Sequence, residues 1–251
     1  MAGGIALSEA TVHAIVLRRR DSGESDRRLT VLTRELGKID IVAKGARKAG
    51  SRLAGSSDPL SVAKFSIATG KRNQYITQAQ PMASFRGLRT DYERLSFALA
   101  LCELYSAVVP WEEPVPEVYE LLEASLNALE GHEKPVAALV WAELQLLSLT
   151  GFLPTFDRSA IDGQPVREAQ PWASAHAGGY VSDSDAVRFT DRIRTRAEVL
   201  YGLARTAELE TPPRNLKFAA ECLVVLLSFW RNVADMPLPA NESCVAEVKL
   251  G

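Results

Sequence analysis

A cluster of cations in the first quarter of the chain has the residue types and spacing to bind anions. It comprises Lys44, Arg47, Lys48 and Arg52, spaced by glycine, alanine and serine, with no acidic residue before Asp58. Lys and Arg supply positive charge, and glycines let a backbone approach a ligand closely, so this connector suits phosphate groups. A solvated loop whose charge is incidental is the alternative that composition leaves open.

Further cations lie at predicted strand ends and turns in the same part of the chain. Phosphate contacts carry no sequence information, and no pattern for reading base edges is visible. Arg27 and Arg28 are second-choice candidates for contacting phosphates. The residues that we predict first for this role are Arg18, Arg19, Arg20, Lys44, Arg47, Lys48, Arg52, Lys71 and Arg72.

Short strands must position these cations. Alternating apolar residues predict five of them, at residues 11–17, 27–33, 39–43, 60–68 and 74–80. Five strands with a long connection between the third and the fourth are typical of an OB-type β-barrel, which can bind oligonucleotides on one face. The aromatic residues Phe65, Tyr75 and Phe85 are predicted to pack in the core or at the rim and not to stack on bases.

From Leu88 onward the apolar period becomes that of a helix. Apolar residues three and four apart predict five helices, around residues 88–102, 118–129, 135–151, 193–203 and 216–230. Thr90 and Glu93 are predicted to cap the first helix. The third is apolar on most sides, which predicts a buried, central position.

The predicted fold is multidomain α+β. Residues 1–84 form the OB-type barrel and residues 85–235 form an α-helical domain. Residues 152–187, rich in Gly, Pro, Ser and Asp, predict an irregular insertion in that domain. Residues 236–251 contain two prolines and little periodicity, which predicts a loose C-terminal tail.

Charge changes sign between the predicted domains. The first 84 residues hold 14 Lys and Arg against 7 Asp and Glu, whereas residues 85–251 hold 15 against 24. A basic front joined to an acidic rear predicts that a polyanion is bound by the front.

Cysteine use and hydropathy predict a reduced cytoplasmic protein. The chain has three cysteines, with Cys102 and Cys222 in apolar helical patterns and Cys244 in the polar tail. An odd count without paired spacing argues against a disulfide framework. No signal-peptide pattern is visible, and the most apolar run, Cys222–Trp230, is too short to span a bilayer.

A series of short segments follows the order expected of one protein family. The segments are Arg18–Arg20, Leu29–Lys38, Ala43–Lys48, Ser51–Leu53, Asp58–Leu60, Leu149–Pro154, Asp157–Arg158 and Gly178–Gly179. Together they resemble the RecO family of bacterial recombination mediators. The resemblance spans nearly the whole chain, and its specificity comes from the ordered series of segments and not from any single one.

The resemblance implies an N-terminal OB fold, a helical domain and a role in DNA repair without catalysis. Members of the family bind single- and double-stranded DNA and anneal complementary strands. They work with RecR, and some also with RecF, to load RecA on strands coated by single-strand-binding protein. The phosphate contacts above are therefore expected to be DNA contacts, in a cytoplasmic, nucleoid-associated protein with no cofactor and no membrane partner.

The chain departs from the family at a zinc site that many members build from two Cys-x-x-Cys pairs. The matching positions here are Ser159, Asp162, Ser182 and Asp185, and none is a thiolate. Structural zinc takes soft or borderline ligands, which serine hydroxyls are not, even with His176 nearby. We therefore expect no metal, which elemental analysis would contradict at about one zinc per chain. Packing through Phe156, Trp172 and Tyr180 would hold this degenerate zinc-ribbon-like insertion.

Three arginines near the fourth predicted helix suggest a second binding surface. Arg188, Arg192 and Arg196 recur at i+4 and are predicted to share one helix face. A solvated face paired with Asp185 and Asp191 is the simpler interpretation. The sharper hypothesis is a dock for the acidic, hydrophobic C-terminal tail of single-strand-binding protein, which the family engages.

Patterns for catalysis are weak, so no enzyme is predicted. The three histidines, His13, His132 and His176, have no nucleophile or metal spacing. Glu112 and Glu113 lie between prolines, which predicts a solvated turn. The alternatives are an OB-fold protein-interaction adaptor or RNA-binding protein without annealing activity, and a metal-dependent hydrolase or nuclease.

Overall fold

The computed structural model describes residues 9–234 and 236–250. They form two compact units. The barrel unit contains the residues up to Arg86 together with Val109–Glu123, and the helical unit contains Gly87–Val108 with the residues from Ala124 onward. The segment Val109–Glu123 therefore belongs to the first unit, although its sequence lies within the predicted helical domain.

The barrel unit is a closed five-stranded barrel with the order β1-β2-β3-β5-β4. Antiparallel pairing of β1 with β4 closes it, and β3 pairs in parallel with β5. This is the predicted OB-type barrel. The strands are β1 (Glu9–Ser22), β2 (Asp26–Thr33), β3 (Gly37–Ala43), β4 (Val62–Thr69) and β5 (Gln74–Ala83).

Alternating side chains fill the barrel interior. Because successive strand residues point to opposite faces, alternate residues of the strands supply the core. The predicted aromatic positions are confirmed, since Phe65 and Phe85 are buried and Tyr75 is half-buried at the rim. The core comprises Val12, Ala14, Val16, Leu29, Val31, Ile39, Ile41, Ala43, Ala46, Ala63, Phe65, Ile67 and Ile76.

Strand β1 is longer than its apolar pattern predicts. The prediction ended it at Leu17, but pairing with β2 continues to Ser22, after an irregularity between Val16 and Arg18. The alternation of apolar residues stops there because this end of the strand faces solvent. The strand continues nonetheless, because its backbone hydrogen bonds require only the neighbouring strand β2. Arg18, Arg19 and Arg20 are therefore strand residues.

The helical unit is built around α4, which is buried along most of its length and packs against α2, α6 and α7. The predicted central position of this helix is confirmed. The helices of the chain are α1 (Arg86–Thr90), α2 (Tyr92–Val108), α3 (Pro116–Gly131), α4 (Pro135–Leu149), α5 (Asp183–Ala186), α6 (Ala197–Ala207), α7 (Ala219–Val233) and α8 (Pro239–Leu250).

The predicted start and face of the first helix are wrong in detail. Asp91, and not Thr90, caps α2, because its carboxylate accepts from the Arg94 amide at 3.1 Å. Tyr92 and Leu99, two of the apolar residues whose three- and four-residue spacing predicts this helix, are exposed and do not belong to its buried face. The residues that α2 buries are Phe97, Ala98, Ala100, Leu101, Cys102, Leu104 and Tyr105.

The predicted irregular insertion, residues 152–187, contains three strands of a four-stranded sheet, and the fourth strand follows it at residues 193–194. Its strands are too short for any periodicity to show in sequence. Phe156 packs edge-on against Phe229 of α7, and Tyr180 is buried, as predicted. Gly179 is required because a Cβ there would lie 2.0 Å from the Thr155 carbonyl oxygen. The order is β6-β8-β7-β9, with β6 (Thr155–Ser159), β7 (Trp172–Ser174), β8 (Gly179–Val181) and β9 (Ile193–Arg194).

The predicted loose tail is also wrong, because residues from Pro239 form α8, which packs on α2 and α7. Proline is well suited to the first position of a helix, so it starts α8 where the prediction took it as a sign of disorder. The Glu103 carboxylate of α2 accepts hydrogen bonds from the backbone amides of Ala240 and Asn241 at 3.1 and 3.0 Å. Cys244 is buried, which raises the pKa of its thiol.

Candidate nucleic-acid interface

The connector is anchored at both ends by acidic side chains. At its start, the Gly45 amide donates to Asp26 at 2.8 Å. At its end, Asp58 forms ion pairs with Arg19 and with Arg27, the latter at 3.2 Å. Arg19, a predicted DNA contact, is thus engaged within the barrel unit.

Short backbone turns organise the rest of the connector. The amides of Lys48 and Ser51 donate to the carbonyls three residues earlier. Ala46 enters the barrel core and Leu53 packs against it. These apolar contacts fasten the connector to the barrel, and its cations project from the remaining, exposed positions.

Lys44 joins the connector to the turn between β4 and β5. Its ammonium lies 4.1 Å from the centroid of the Tyr75 ring. Tyr75 in turn lies against Gly70, where a Cβ would be 2.9 Å from the ring. That turn carries Lys71 and Arg72, both exposed. The fold therefore brings together cations that are distant in sequence.

The outer face of β1, β2 and β3 adds three arginines around one carboxylate. Arg20 and Arg28 lie 3.6 and 3.9 Å from Asp40. Arg18 donates to Thr30 at 3.2 Å, and Thr30 donates to Asp40 at 2.7 Å. A single carboxylate leaves this group with a net positive charge.

A cavity of about 560 Å³ connects this face with the β4–β5 turn. From sequence, Arg28 is only a second-choice candidate for contacting phosphates. Trp111 and Lys38, which also lie in this region, are not identified from sequence as site residues. No local pattern marks Trp111, because it reaches the barrel only by pairing with β3. The lining residues are Arg28, Ile39, Asp40, Thr69, Gly70, Lys71, Arg72, Asn73, Gln74, Trp111 and Glu112.

The predicted DNA contacts divide by their partners. Arg19, Arg20 and Arg47 form ion pairs with Asp58, Asp40 and Asp21. Arg47 also donates to the Gly23 carbonyl, beside the β1–β2 turn. The other six predicted DNA contacts form no ion pair within residues 9–234 and 236–250. They are Arg18, Lys44, Lys48, Arg52, Lys71 and Arg72.

Arg52 stands apart from the rest. It lines a separate hollow with Ser56, Pro81 and Ala83, at the far end of the connector. Sequence spacing alone grouped it with Lys44 and Lys48. The structure groups Lys44 with Lys71 and Arg72, so these three exposed cations form the best-defined part of the candidate interface.

The prediction that Arg188, Arg192 and Arg196 share a helix face is wrong. The helix begins only at Ala197, and Arg196 is its N-cap residue. A strand, β9, precedes it because the chain here completes the small sheet. Arg188 pairs locally with Asp185 at 3.2 Å, whereas Arg196 pairs at 3.0 Å with Glu221 of α7, 25 residues further along the chain.

The guanidinium of Arg192 has a different environment. It lies 5.3 Å from the centroid of the Trp172 ring, and Arg194 lies 5.1 Å from the same ring. Arg192 also donates to the Phe189 carbonyl at 2.6 Å. Two arginines therefore pack against one indole, whose ring nitrogen donates to Asp183 at 2.8 Å.

The positions that match the family's zinc ligands serve local turns. The Ser159 hydroxyl accepts from the amides of Ile161 and Asp162 at 3.2 and 3.3 Å. Ser182 caps α5, accepting from the Asp185 amide at 3.3 Å. In the part of the chain that the structure describes, no group of three or more His, Cys, Asp or Glu could hold a metal ion. These residues do not fit zinc.

A closed five-stranded barrel with a cationic outer face defines an OB-fold protein, a class that binds oligonucleotides or oligosaccharides on that face. The family model described as Recombination protein O N terminal matches residues 7–85, and the one described as Recombination protein O C terminal matches residues 89–239. The chain belongs to the RecO family. No helix among the described residues is long and apolar enough to cross a membrane.

Relatives in several bacteria support this assignment. The chain is 36% identical over 174 residues to the DNA repair protein RecO of Heliobacterium modesticaldum, covering 68% of this chain and 63% of that protein. It is 33% identical over 214 residues to the DNA repair protein RecO of Myxococcus xanthus, covering 84% of this chain and 87% of that protein. The chain thus spans less than two thirds of the Heliobacterium protein and most of the Myxococcus protein.

Proposed function

We propose that this protein is a non-enzymatic mediator of DNA repair and homologous recombination that binds single- and double-stranded DNA through its barrel unit. The observation that carries the proposal is the gathering of exposed Lys44, Lys71 and Arg72 beside the arginines of the outer face. The relatives' name, DNA repair protein RecO, supports the repair role.

Strand annealing is a reaction that such a surface can promote without hydrolysis. Two complementary strands repel each other through their phosphates, and cations that neutralise those phosphates lower the repulsion. Holding two strands on one protein also raises their effective concentration. We propose that the barrel unit anneals strands in this way.

Salt dependence tests the electrostatic basis of the proposal. If about four to six phosphates are neutralised, the logarithm of affinity for single-stranded DNA should fall against the logarithm of salt concentration with a slope of roughly −3 to −4. Fluorescence anisotropy across a salt series measures this slope. A slope near zero would show that these cations do not contact DNA and would favour a protein-interaction adaptor.

The partners that family membership suggests are part of the same proposal. Together with RecR, and with RecF in some members, the protein would help to load RecA on DNA coated by single-strand-binding protein. The acidic rear part of the chain would meet these proteins while the basic front holds the strand.

For the acidic tail of single-strand-binding protein, we propose contacts at Arg188, Arg192 and Arg196. The double variant Arg192→Glu with Arg196→Glu is expected to weaken binding of the tail peptide at least about 5-fold, because charge then repels the peptide. Titration of labelled peptide measures this, with Arg158→Glu and Arg167→Glu as the matched control. Unchanged binding would remove these residues from the site.

A further inference from the structure

Trp111 is an exposed indole held on the barrel unit, at the edge of the 560 Å³ cavity. Half of the residue is exposed, at 50% relative accessibility. The buried ammonium of Lys38 lies 4.6 Å from the ring centroid. An exposed tryptophan that also lines a cavity can serve as a stacking surface for a planar ligand.

The backbone fixes the position of this indole. Trp111 bridges to Lys38 as a short parallel extension of β3, and the Glu112 amide donates to the Lys38 carbonyl at 2.9 Å. Gly37 permits the close approach, since a Cβ there would lie 2.2 Å from the Glu113 carbonyl oxygen. Glu112 has a positive φ of 58°, a strained conformation for a residue with a side chain. These contacts fix the backbone of Trp111 beside β3, and the Lys38 ammonium contacts its ring.

Cations line the cavity opposite a smaller number of carboxylates. Arg28 donates to the Asn73 side chain at 2.7 Å, which holds the guanidinium beside the β4–β5 turn. Lys71 and Arg72 of that turn also line the cavity, together with the carboxylates of Asp40 and Glu112. Phosphates can bind at the three cations, and the carboxylates can accept from amino groups on a base.

Lys38 adds positive potential below the ring. Burial lowers its pKa to about 8, with the charge of Arg18 acting in the same direction and that of Asp40 opposing it. At neutral pH the ammonium is mainly protonated. Its charge faces the electron-rich surface of the indole, an arrangement that stabilises the ring in place.

We propose that this cavity binds one unpaired nucleobase of a DNA single strand, stacked on the Trp111 indole, with adjacent phosphates at Arg28, Lys71 and Arg72. This inference rests on the proposed function and extends it. The volume lies in the range of small-molecule sites. A paired base is already stacked on both faces within a duplex, so the site selects single strands.

Binding of Trp111→Ala to a short oligothymidylate and to a duplex tests the site. Base-to-aromatic stacking predicts a loss of about 10-fold in affinity for the single strand. Duplex affinity should stay within about 2-fold, and the salt slope should not change, because no phosphate contact is removed. Trp111→Phe should retain most of the affinity.

Two controls separate stacking from other effects. Phe152→Ala removes an exposed aromatic residue of the helical unit and should leave both affinities unchanged. On an oligonucleotide without bases, the wild type and Trp111→Ala should bind equally, since phosphates alone remain. Free thymidine monophosphate should compete only at far higher concentration than the strand, because it lacks the adjacent phosphates.

Each contrary result has a defined meaning. Equal losses on single strand and duplex, or a loss that persists on the abasic strand, would overturn the stacking site. Unchanged single-strand affinity for Trp111→Ala with a steep salt slope would also overturn it while leaving the proposed DNA binding intact. A wild-type slope near zero would instead contradict the proposed function itself.

Discussion

Changing Lys44, Lys71 and Arg72 together to glutamate is expected to reduce affinity for single-stranded DNA on the order of 100-fold or more at physiological salt. The expected loss is large because each reversal removes an attraction and adds a repulsion. The salt slope should also fall by about 0.7 for each lost phosphate contact on a single strand. Annealing of complementary oligonucleotides coated with single-strand-binding protein should fall in parallel.

The fold explains the choice of these three residues. All are exposed, and within the described residues none takes part in an ion pair. Their reversal removes no ion pair among the described residues. It does remove the contact of Lys44 with the Tyr75 ring, an exposed cation–π contact of about 0.5–1 kcal/mol, so the barrel should stay folded. Changing Arg47 would disturb its contacts with Asp21 and Gly23, and changing Arg19 would release Asp58, so those variants would mix folding with binding.

A matched variant controls for net charge. Arg167, Arg205 and Arg214 are exposed arginines of the helical unit, and their change to glutamate alters net charge by the same amount. This variant should lose little affinity. Arg52→Glu alone should also have a small effect, because Arg52 lines a separate hollow. If the control lost as much affinity as the test variant, the binding surface would not be the one proposed.

Replacing Glu143 with glutamine is expected to stabilise the protein at pH 8. Glu143 lies in the buried helix α4 and is 3% exposed. Its carboxylate accepts from the Trp230 indole at 2.9 Å. Burial raises the pKa of Glu143 from 4.5 to about 8, and the single hydrogen bond from Trp230 only partly opposes this. Glutamine can accept the same hydrogen bond without carrying charge.

The direction of the pH dependence follows from proton uptake. Between pH 4.5 and about 8 the folded protein keeps this proton while the unfolded chain releases it. The free energy of unfolding therefore falls as pH rises, by up to about 1.4 kcal/mol per pH unit. Below pH 4.5 the contribution of Glu143 is fully present, and above pH 8 it is lost. Cys244 adds little to this change, because its thiol stays protonated in the folded protein and is also largely protonated in the unfolded chain up to about pH 8.

Denaturant unfolding at pH 5 and pH 8 measures the effect. We expect the wild type to be less stable at pH 8 and Glu143→Gln to lose most of that difference, with a gain of roughly 3 kcal/mol at pH 8. Glu208→Gln, a change at an exposed position of the same unit, should behave like wild type. An equal pH dependence in wild type and Glu143→Gln would show that Glu143 is ionised in the folded protein.

Local sequence pattern was enough to predict the long elements, in which apolar residues recur at a regular period. Alternation predicted all five barrel strands, and the long third-to-fourth connection predicted their OB-type arrangement. The apolar residues on most sides of the helix predicted at 135–151 indicated that α4 is buried. These predictions hold because each rests on a property that neighbouring residues share, and because a barrel or a central helix needs that property throughout its length.

Short strands, and the particular residue at which a helix begins, could not be predicted in this way. The strands of the small sheet, two to five residues long, show no period, and the two prolines of residues 236–251 predict a loose tail where Pro239 begins α8. The arginines at 188, 192 and 196 have helical spacing, yet the chain forms β9 before the helix begins. In each place a long-range contact decided the conformation against the local pattern.

The sequence by itself determined which part of the chain is basic, which residue types are available for phosphates, and which family the chain resembles. Only the tertiary structure decided which cations are exposed together. It paired Arg19 with Asp58, separated Arg52 from Lys44, and placed Trp111 beside β3. The physical reason is that ion pairs and stacking depend on distances of a few ångströms between residues far apart in sequence, which only the closed barrel sets.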